Sequence, residues 1–250
     1  MQTDFANTTN SIHPLALITG ASRGIGKAIA EAFAQAGYDL VLTCSSSFPQ
    51  LEELSVSLSE RFSVECRPFC VDMSDHETVC NLFHNLQRID VLINNAGISF
   101  VGLLHEMTPE DWHHVISVNL DSCFYTCKYS IPLMLKNHCG RIINISSVWG
   151  NVGASCEVAY SASKGGMNAL TKALAKELAP SGISVNAIAC GVMDTSMNAC
   201  FSAEDLEALR QEIPADRLGD PKEAAQLALQ LASAPSYLTG QIITLDGGWI

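Results

Sequence analysis

Short apolar runs alternate with amphipathic stretches along most of the chain. The apolar runs predict buried strands at residues 15–19, 39–43, 64–71, 90–93, 141–146, 183–189 and 241–245. Apolar residues at helical spacing predict helices at residues 27–35, 51–61, 75–86, 109–136, 157–178 and 221–232, with a polar, helical excursion at 192–216. Strands that alternate with helices in this way favour a parallel sheet with helices on both faces.

The predicted fold class is therefore α/β, a single doubly wound Rossmann-type domain with a mostly parallel seven-stranded sheet. No linker, repeat or low-complexity segment divides residues 14–250, so we expect one domain there. Residues 1–13 are polar and lack an apolar core, which predicts a flexible extension and not a signal peptide. In such sheets ligands bind at the carboxyl ends of the strands, so residues that follow strands are the candidates for a site.

Charge and cysteine content exclude several classes of function. The formal net charge of −12 argues against nucleic-acid binding, which needs a basic face, and against docking on anionic membranes. No run of 18 apolar residues predicts a membrane helix. The ten cysteines are scattered and match no metal-ligand spacing, so we expect reduced, buried thiols in a cytoplasmic protein and no metal site.

A glycine-rich loop follows the first predicted strand and leads into a helix. Its candidate ligand-binding residues are Gly20, Ser22, Arg23, Gly24, Ile25 and Gly26. Glycines let the backbone approach a pyrophosphate, and the helix N-terminus offers free N–H groups and the positive end of its dipole. The strand, loop and helix together predict a dinucleotide site; the alternative is a plain turn between a strand and a helix.

The end of the second predicted strand bears on the choice of dinucleotide. An NAD site usually has a carboxylate there for the ribose hydroxyls, whereas this chain has a run of hydroxyls that includes Ser45. Hydroxyls together with the Arg23 guanidinium suit a 2′-phosphate, which predicts NADP(H). Alternatively, the serines only begin the next helix. Asp72, after the third strand, could accept a hydrogen bond from an adenine amino group, or Asp72 or Ser74 could only cap a helix.

Tyr160 and Lys164 are four residues apart and therefore lie on one face of a predicted helix. An ammonium beside a phenol favours the phenolate and lowers the tyrosine pKa, which predicts a proton donor and acceptor near neutral pH. An ordinary helix with a solvated lysine is the alternative. Ser147 precedes the tyrosine by thirteen residues, and Asn119 is a polar residue within a predicted helix, where it is either a buried hydrogen-bonding group or part of a site.

The motifs, in this order, resemble those of the short-chain dehydrogenase/reductase family over nearly all of residues 14–250. The matching positions are residues 19–26, 94–97, 146–147, 190–191, 237–240 and 246–248, with Asp72, Asn119, Tyr160, Lys164 and Thr195. The resemblance implies further cofactor-binding residues at Met73, Asn95, Ala96, Gly97, Gly191, Met193 and Thr195, and it adds Tyr160 and Lys164 to them.

The resemblance also implies catalytic roles. Tyr160 would protonate the carbonyl oxygen as hydride arrives, and Lys164 would hold the nicotinamide ribose and lower the tyrosine pKa. Ser147 would hydrogen-bond the substrate oxygen, so that two donors are aimed at the oxygen that gains negative charge. Asn119 would hold a water in a proton relay to Lys164. One departure is Cys190, where the family usually has proline; we expect a looser loop there, with a thiol that is either oxidation-sensitive or inert.

The resemblance leaves several substrates open. The 3-oxoacyl-[acyl-carrier-protein] reductases are large relatives, but the basic residues that dock an acidic carrier are replaced by His138 and Ser181, and a charge of −12 would repel such a carrier. The segments at 149–160, 194–198 and 245–250, with Trp149, Glu157 and Trp249, look more similar to the bacterial elongation factor P 5-aminopentanone reductases, which reduce a ketone on a lysine-linked modification. The Glu157 carboxylate would suit an amine-bearing substrate, or it is only an acidic residue favoured in a first helical turn.

Three further expectations remain alternatives or follow from the family. Trp149 is a wall of the substrate site or part of the core. A true 3-oxoacyl-[acyl-carrier-protein] reductase of fatty acid synthesis, or a non-catalytic NADP-binding sensor on the same fold, is the alternative function. Members of the family are usually tetramers, so the resemblance implies a homotetramer.

Overall fold

The computed structural model describes residues 13–250, apart from the side chains of Ala199 and Cys200, and all but the last residue of the extension predicted at 1–13 lies outside the described residues. The strands are β1 (Leu15–Ile18), β2 (Asp39–Cys44), β3 (Cys66–Cys70), β4 (Val91–Asn94), β5 (Gly140–Ser147), β6 (Ile183–Cys190) and β7 (Ile242–Leu245). They form a seven-stranded sheet in the order β3-β2-β1-β4-β5-β6-β7, and every neighbouring pair is parallel. The fold class is thus confirmed, with a sheet that is wholly parallel in the described chain.

Nine α-helices occur within residues 13–250. They are α1 (Gly24–Gln35), α2 (Phe48–Phe62), α3 (His76–His84), α4 (Pro109–Ile116), α5 (Ser122–Asn137), α6 (Trp149–Val152), α7 (Val158–Leu178), α8 (Ala203–Glu212) and α9 (Pro221–Ser233). None of the helices in this part of the chain has the length and apolar character needed to cross a membrane.

Two apolar layers cover the sheet, one on each face. Buried residues of α1, α2 and α9 pack on one face with Leu40, Leu42 and Cys44 of β2. Buried residues of α3, α5 and α7 pack on the other face with Val41 and Leu92. The strands are buried on both sides, which explains why they read as continuous apolar runs in the sequence and not as alternating ones.

A buried polar network ties the middle of the sheet to the second helical layer. The Thr126 hydroxyl donates to Asn94 Oδ1 at 2.6 Å, and Asn94 Nδ2 donates to Asn144 Oδ1 at 2.9 Å. Asn144 Nδ2 in turn donates to the Thr171 hydroxyl at 2.8 Å. Because these groups are buried, each needs the others as partners, so the network fixes β4 and β5 against α5 and α7.

The structure corrects two predicted helices. The helix predicted at 109–136 is interrupted by a π-helical segment, Ser117–Asp121, between α4 and α5. Asn119 lies in that segment, and its side chain bonds to groups outside the helix, which an uninterrupted α-helix would position differently. In the predicted excursion at 192–216, only Ala203–Glu212 forms an α-helix, after a 3₁₀ segment at Ser196–Cys200.

The cysteines differ from the expectation of uniformly buried thiols. No disulfide occurs among the nine cysteines whose side chains are described, and Cys44, Cys123, Cys127 and Cys190 are buried. Cys70 and Cys139 are exposed, and the remaining three are partly exposed. The expectation was wrong for Cys70 because β3 is an edge strand and ends at the surface.

Candidate active site

The glycine loop packs tightly against the end of β4. Gly20 adopts a φ of +64°, and Asn95 Nδ2 donates to the carbonyl oxygens of Thr19 and Gly20 at 2.9 and 3.0 Å. A Cβ on Gly26 would lie only 2.2 Å from the Gly20 carbonyl oxygen, so this glycine is needed for the close approach of α1 to the loop. Arg23 occupies the N-cap position of α1 but makes no side-chain capping bond, which leaves the first N–H groups of the helix for another acceptor.

A cavity of about 490 Å³ lies along the carboxyl ends of β1 to β4. Most of the predicted cofactor-binding residues line it, namely Gly20, Ser22, Arg23, Gly24, Ile25, Ser45, Asp72, Met73, Asn95, Ala96, Gly97 and Thr195. Ser46 and Ser47 of the same predicted hydroxyl run also line it, as do Cys44, His114 and Val118. Gly26 does not line the cavity, because it is buried between α1 and the loop. Uncapped N–H groups beside a glycine loop, together with a cavity of this volume, fit a dinucleotide.

The polar groups near β2 and β3 bear on the alternatives left open by the sequence. Ser47 stands at the N-cap position of α2 but makes no side-chain capping bond. Asp72 Oδ1 accepts from both the backbone N–H and the hydroxyl of Ser74, whereas the side chain that caps α3 is that of Asp75. The reading of Asp72 or Ser74 as the helix cap is therefore wrong, since Asp75 is closer to the first turn.

A second cavity, also of about 490 Å³, adjoins the first one and continues toward β5 and β6. The two cavities share Ile25, Asn95, Gly97, Ser99, Thr195 and Met197 in their walls. Ser147, Tyr160 and Lys164 line the second cavity, as do Gly191 and Met193. Residues that are far apart in the sequence thus meet where the cavity of the glycine loop opens into the second cavity.

Ser147 ends β5, and Tyr160 and Lys164 lie one turn apart in α7. Lys164 is 3% exposed; its Nζ donates to the Ile145 carbonyl oxygen at 2.8 Å and lies 5.6 Å from the centre of the Tyr160 ring. Burial lowers the pKa of Lys164 to about 8. A charge-neutral lysine is therefore accessible at mildly alkaline pH, because the low-dielectric surroundings disfavour the ammonium.

The pKa of Tyr160 differs from the prediction. Burial raises it above its ordinary value of 10.0, a hydrogen bond with Ser147 opposes that rise, and nearby Cys190 and Glu157 add to it. The expected lowering by Lys164 does not prevail in the protein alone, because the lysine nitrogen is engaged by a main-chain carbonyl group and the burial of the phenol has the larger effect. The Ser147 contact is the one that favours the phenolate.

Asn119 is completely buried, and protein groups bind its side chain. Its Oδ1 accepts from the backbone N–H of Ile98 at 2.8 Å, and its Nδ2 donates to the Ile98 carbonyl and the Ser163 hydroxyl at 2.9 and 3.0 Å. A Cβ on Gly97 would lie 3.3 Å from Asn119 Oδ1 and 3.5 Å from Lys164 Nζ. The missing side chain of Gly97 thus leaves a space of about one methyl group between these two polar atoms.

The far end of the second cavity is aromatic and acidic. The rings of Trp149 and Trp249 pack edge to face with centres 5.0 Å apart, and both line the cavity. The Ser99 hydroxyl donates to Glu157 Oε2 at 2.6 Å, and Glu212 lies in the same wall. Trp149 is therefore a wall of the cavity as well as a packing residue.

The sequence missed several residues of this wall. They are Ser99, Val101, Met197, Phe201, Leu209, Glu212 and Trp249. Trp249 follows the conspicuous glycine pair at 247–248, which was the one available signal. Asp246 accepts from the N–H groups of Gly248 and Ile250 at 3.0 and 2.9 Å, and this turn brings the Trp249 ring back to Trp149.

Cys190 is buried and lines the second cavity beside Tyr160 and Lys164. Burial raises its pKa to about 12, although Lys164 opposes the rise. Since the thiolate is the reactive form, the structure favours the inert alternative for this thiol. No cluster of three or more metal-ligating side chains occurs among the described residues.

Comparison with known proteins identifies the class to which this fold and site belong. The chain belongs to the short chain dehydrogenase family, whose model matches residues 14–206. It is accordingly an oxidoreductase of a family that uses a nicotinamide cofactor.

Individual relatives cover almost the whole chain. An uncharacterized oxidoreductase of Bacillus subtilis, YmfI, is 40% identical over 236 residues, which are 94% of this chain and 98% of the relative. The 3-oxoacyl-[acyl-carrier-protein] reductase FabG of Thermotoga maritima is 41% identical over 239 residues, 94% of this chain and 96% of the relative. A crystal structure of a proposed gluconate dehydrogenase from Agrobacterium tumefaciens is 33% identical with a TM-score of 0.90, over 94% of this chain and 95% of that one.

Proposed function

We propose that this protein is an NADPH-dependent carbonyl reductase whose substrate is a ketone that carries an amine. The observation that carries the proposal is that Ser147, Tyr160 and Lys164 line the second cavity together, with Lys164 beside Gly97, a residue that lines both cavities. One cavity has the glycine loop of a dinucleotide site, and the other has room for a substrate. A nicotinamide cofactor bound in the first cavity supplies the hydride, and the protein supplies the geometry.

The chain's own residues carry the proton. Tyr160 donates its phenolic proton to the carbonyl oxygen of the substrate, and Ser147 donates a second hydrogen bond to the same oxygen. Both donors stabilise the negative charge that develops there. Lys164 lies behind the tyrosine, and a water in the space beside Gly97, between Asn119 Oδ1 and Lys164 Nζ, would return a proton to the site.

The choice of NADP(H) rests on the groups at the end of β2. Arg23 and the hydroxyl-bearing residues Ser45, Ser46 and Ser47 line the dinucleotide cavity together. A guanidinium and hydroxyls are donors, which a 2′-phosphate needs as partners, whereas the 2′-hydroxyl of NAD is usually bound by a carboxylate. Asp72 remains the candidate partner of the adenine amino group.

The proposed substrate class rests on the acidic and aromatic end of the second cavity. Glu157, positioned by Ser99, and Glu212 would attract an ammonium group, and the Trp149 and Trp249 rings offer faces and edges to its alkyl chain. Within this class we favour the lysine-linked ketone of elongation factor P. An acyl thioester on acyl carrier protein is the competing substrate, named by the relatives in Thermotoga maritima and other bacteria. We further propose that the protein forms a homotetramer and is located in the cytoplasm.

The reaction is tested by following NADPH oxidation with an amine-bearing ketone and with a neutral ketone. Tyr160→Phe should lower turnover by about 10²–10⁴-fold, the range typical of a lost general acid, while NADPH still binds. Equal rates in wild type and Tyr160→Phe would refute the reductase mechanism. Activity in neither protein with any ketone or acyl thioester would favour the cofactor-binding sensor.

The cofactor preference is tested with Arg23→Ala. The variant should bind NADPH about tenfold more weakly and NADH unchanged, because only the 2′-phosphate would meet the guanidinium. Lys27→Ala is the matched control, since Lys27 is an exposed cation on the same helix that lines neither cavity. A similar loss of affinity for both dinucleotides would contradict the proposal.

The substrate class is tested with Glu157→Gln. The variant should reduce an amine-bearing ketone at least about tenfold less efficiently, whereas a neutral ketone should be little affected. The reason is that a hydrogen-bonded pair of the carboxylate with a substrate ammonium is worth about 1.4 kcal/mol or more. Glu177→Gln, an exposed site at the other end of α7, is the control. Equal losses on both ketones would reject the ammonium site and leave the reductase reaction itself intact.

A further inference from the structure

Two cysteines stand side by side at the edge of the dinucleotide cavity. Cys44 ends β2 and Cys70 ends β3, and they are direct partners in the parallel register. Neighbouring strands lie about 4.8 Å apart, within the range of about 4.4–6.8 Å between Cα atoms that a disulfide can span. Both side chains point to the same face, because Cys66, four residues before Cys70, packs on the apolar cluster that contains Cys44.

The two thiols also hold the loop that follows β2. The neighbouring Cys70 thiol raises the pKa of Cys44, whereas the backbone N–H of Ser47, which faces the Cys44 sulfur, lowers it. Cys70 Sγ donates to the Ser45 carbonyl oxygen at 3.3 Å. Ser45, Ser47 and Cys44 all line the dinucleotide cavity, so a change at the sulfur atoms reaches the wall of that cavity directly.

The two thiols differ in accessibility. Cys70 is exposed on the edge strand of the sheet, whereas Cys44 is 4% exposed and belongs to the core. Burial, together with the neighbouring Cys70, raises the pKa of Cys44. An oxidant from solvent therefore reaches Cys70 first, and Cys44 lies where it can react with the oxidised Cys70 sulfur.

We infer that Cys70 and Cys44 form a redox modification site, at which a hydroperoxide converts the pair to a disulfide that weakens dinucleotide binding. The Cys70 sulfur attacks one peroxide oxygen, the O–O bond breaks, and the departing oxygen takes a proton to leave as water or an alcohol. Cys44 sulfur then attacks the Cys70 sulfenic acid, the S–O bond breaks, and the oxygen leaves as water with the Cys44 proton. The two thiols lose two electrons, and the peroxide gains them.

The disulfide acts on the cavity through the loop at residues 45–47. Once oxidised, Cys70 no longer has a proton to donate to the Ser45 carbonyl, and the Cys44 sulfur turns toward β3 and away from the Ser47 N–H. The loop then loses two of its anchors. By linkage, a dinucleotide that binds the reduced form more tightly must also oppose formation of the disulfide by the same factor.

The first experiment locates the bond. Wild type, Cys70→Ser and Cys139→Ser are treated with hydrogen peroxide and digested under non-reducing conditions, and the peptide masses are measured by mass spectrometry. Cys139 is the matched control, because it is also exposed but lies just before β5, at the amino ends of the strands and away from the cavities. A peptide cross-linked between Cys44 and Cys70 should appear in wild type and Cys139→Ser and be absent from Cys70→Ser. Its absence from wild type would overturn the proposal.

The second experiment measures the coupling, with whichever of NADPH and NADH the reduced protein binds more tightly, so that it does not depend on the proposed cofactor preference. Oxidised wild type and Cys139→Ser should bind that dinucleotide about tenfold more weakly than their reduced forms, and dithiothreitol should restore the affinity. Cys70→Ser should not respond to peroxide, because it lacks the thiol that attacks the peroxide, and its affinity should resemble that of reduced wild type, because serine keeps a donor for the Ser45 carbonyl. Unchanged affinity of the cross-linked protein would refute the coupling.

A third measurement needs no substitution. Wild type is equilibrated in a buffer of reduced and oxidised glutathione, with and without saturating dinucleotide, and the fraction of the Cys44–Cys70 disulfide is read from peptide masses. The ratio of oxidised to reduced protein should fall by the same factor of about ten when the dinucleotide is present. An equal ratio in both samples would show that the two sites are independent.

Discussion

Replacing the buried lysine with an apolar residue of similar length should make the isolated protein more stable at neutral pH while destroying its proposed chemistry. The pKa of Lys164 is lowered from 10.5 to about 8. Because one pKa unit corresponds to about 1.4 kcal/mol, the folded state is penalised by about 3 kcal/mol for the ammonium at pH 7. Lys164→Met removes this penalty but also the hydrogen bond to the Ile145 carbonyl, which is worth about 1–2 kcal/mol. The net gain is about 1–2 kcal/mol.

The stability difference between wild type and Lys164→Met should change with pH. Below pH 8 the lysine is charged in both the folded and the unfolded chain, so wild type carries the full penalty. Between pH 8 and 10.5 the unfolded chain keeps a proton that the folded chain releases, so the stability of wild type rises with pH. Lys164→Met lacks this gain. The variant should therefore be the more stable protein at pH 7 and lose that advantage by about pH 8.7–9.5.

Urea unfolding at several pH values measures this difference directly. Burial raises the pKa of Tyr160 and of Cys190 in the folded chain, so both groups also make stability depend on pH, but they are present in both proteins and their contributions cancel to a first approximation. Lys172→Met, an exposed position on α7, is the control and should change stability little at any pH. A Lys164→Met protein that is less stable than wild type at pH 7, or a difference that does not vary with pH, would refute the reasoning.

Two further substitutions test how the site is supported. Gly26→Ala would place a methyl group 2.2 Å from the Gly20 carbonyl oxygen. It should lower the free energy of unfolding by about 1–3 kcal/mol, measured by urea titration, and weaken dinucleotide binding, measured by ligand titration. Gly165→Ala, in α7 with its nearest neighbour at 3.5 Å, should be neutral or stabilising, and an equal loss in both would contradict the steric argument. Asn144→Leu leaves Asn94 Nδ2 without its acceptor and should lower the free energy of unfolding by about 3 kcal/mol, measured in urea; a change below about 1 kcal/mol would contradict the network.

The fold and the placement of Tyr160 beside Lys164 were accessible from the sequence because both depend on local spacing. Buried parallel strands leave apolar runs, and Tyr160 and Lys164 are one helical turn apart wherever α7 is placed. The pKa of Tyr160 was not accessible in this way. It depends on how deeply the phenol is buried and on where the lysine nitrogen donates, and both are properties of packing between β5 and α7.

The wall of the second cavity was predicted least completely. Trp149 and Glu157 are near Tyr160 in sequence and could be proposed, but Glu212 and Trp249 reach the cavity from α8 and from the turn after β7. Nothing in their local sequence points to Trp149. The π-helical turn at Asn119 was missed for a similar reason, since its geometry is set by hydrogen bonds to Ile98 and Ser163, which lie in other segments.

The two adjoining cavities are built by different parts of the chain, and this division has a consequence for how the enzyme can diversify. The glycine loop and the ends of β1 to β4 form the dinucleotide side, whereas Trp149, Glu212 and Trp249 come from segments attached to β5, β6 and β7. Side chains in those later segments can be exchanged without disturbing the first half of the sheet. Variant libraries confined to these later segments should yield proteins with altered substrate ranges and an unchanged dinucleotide cavity.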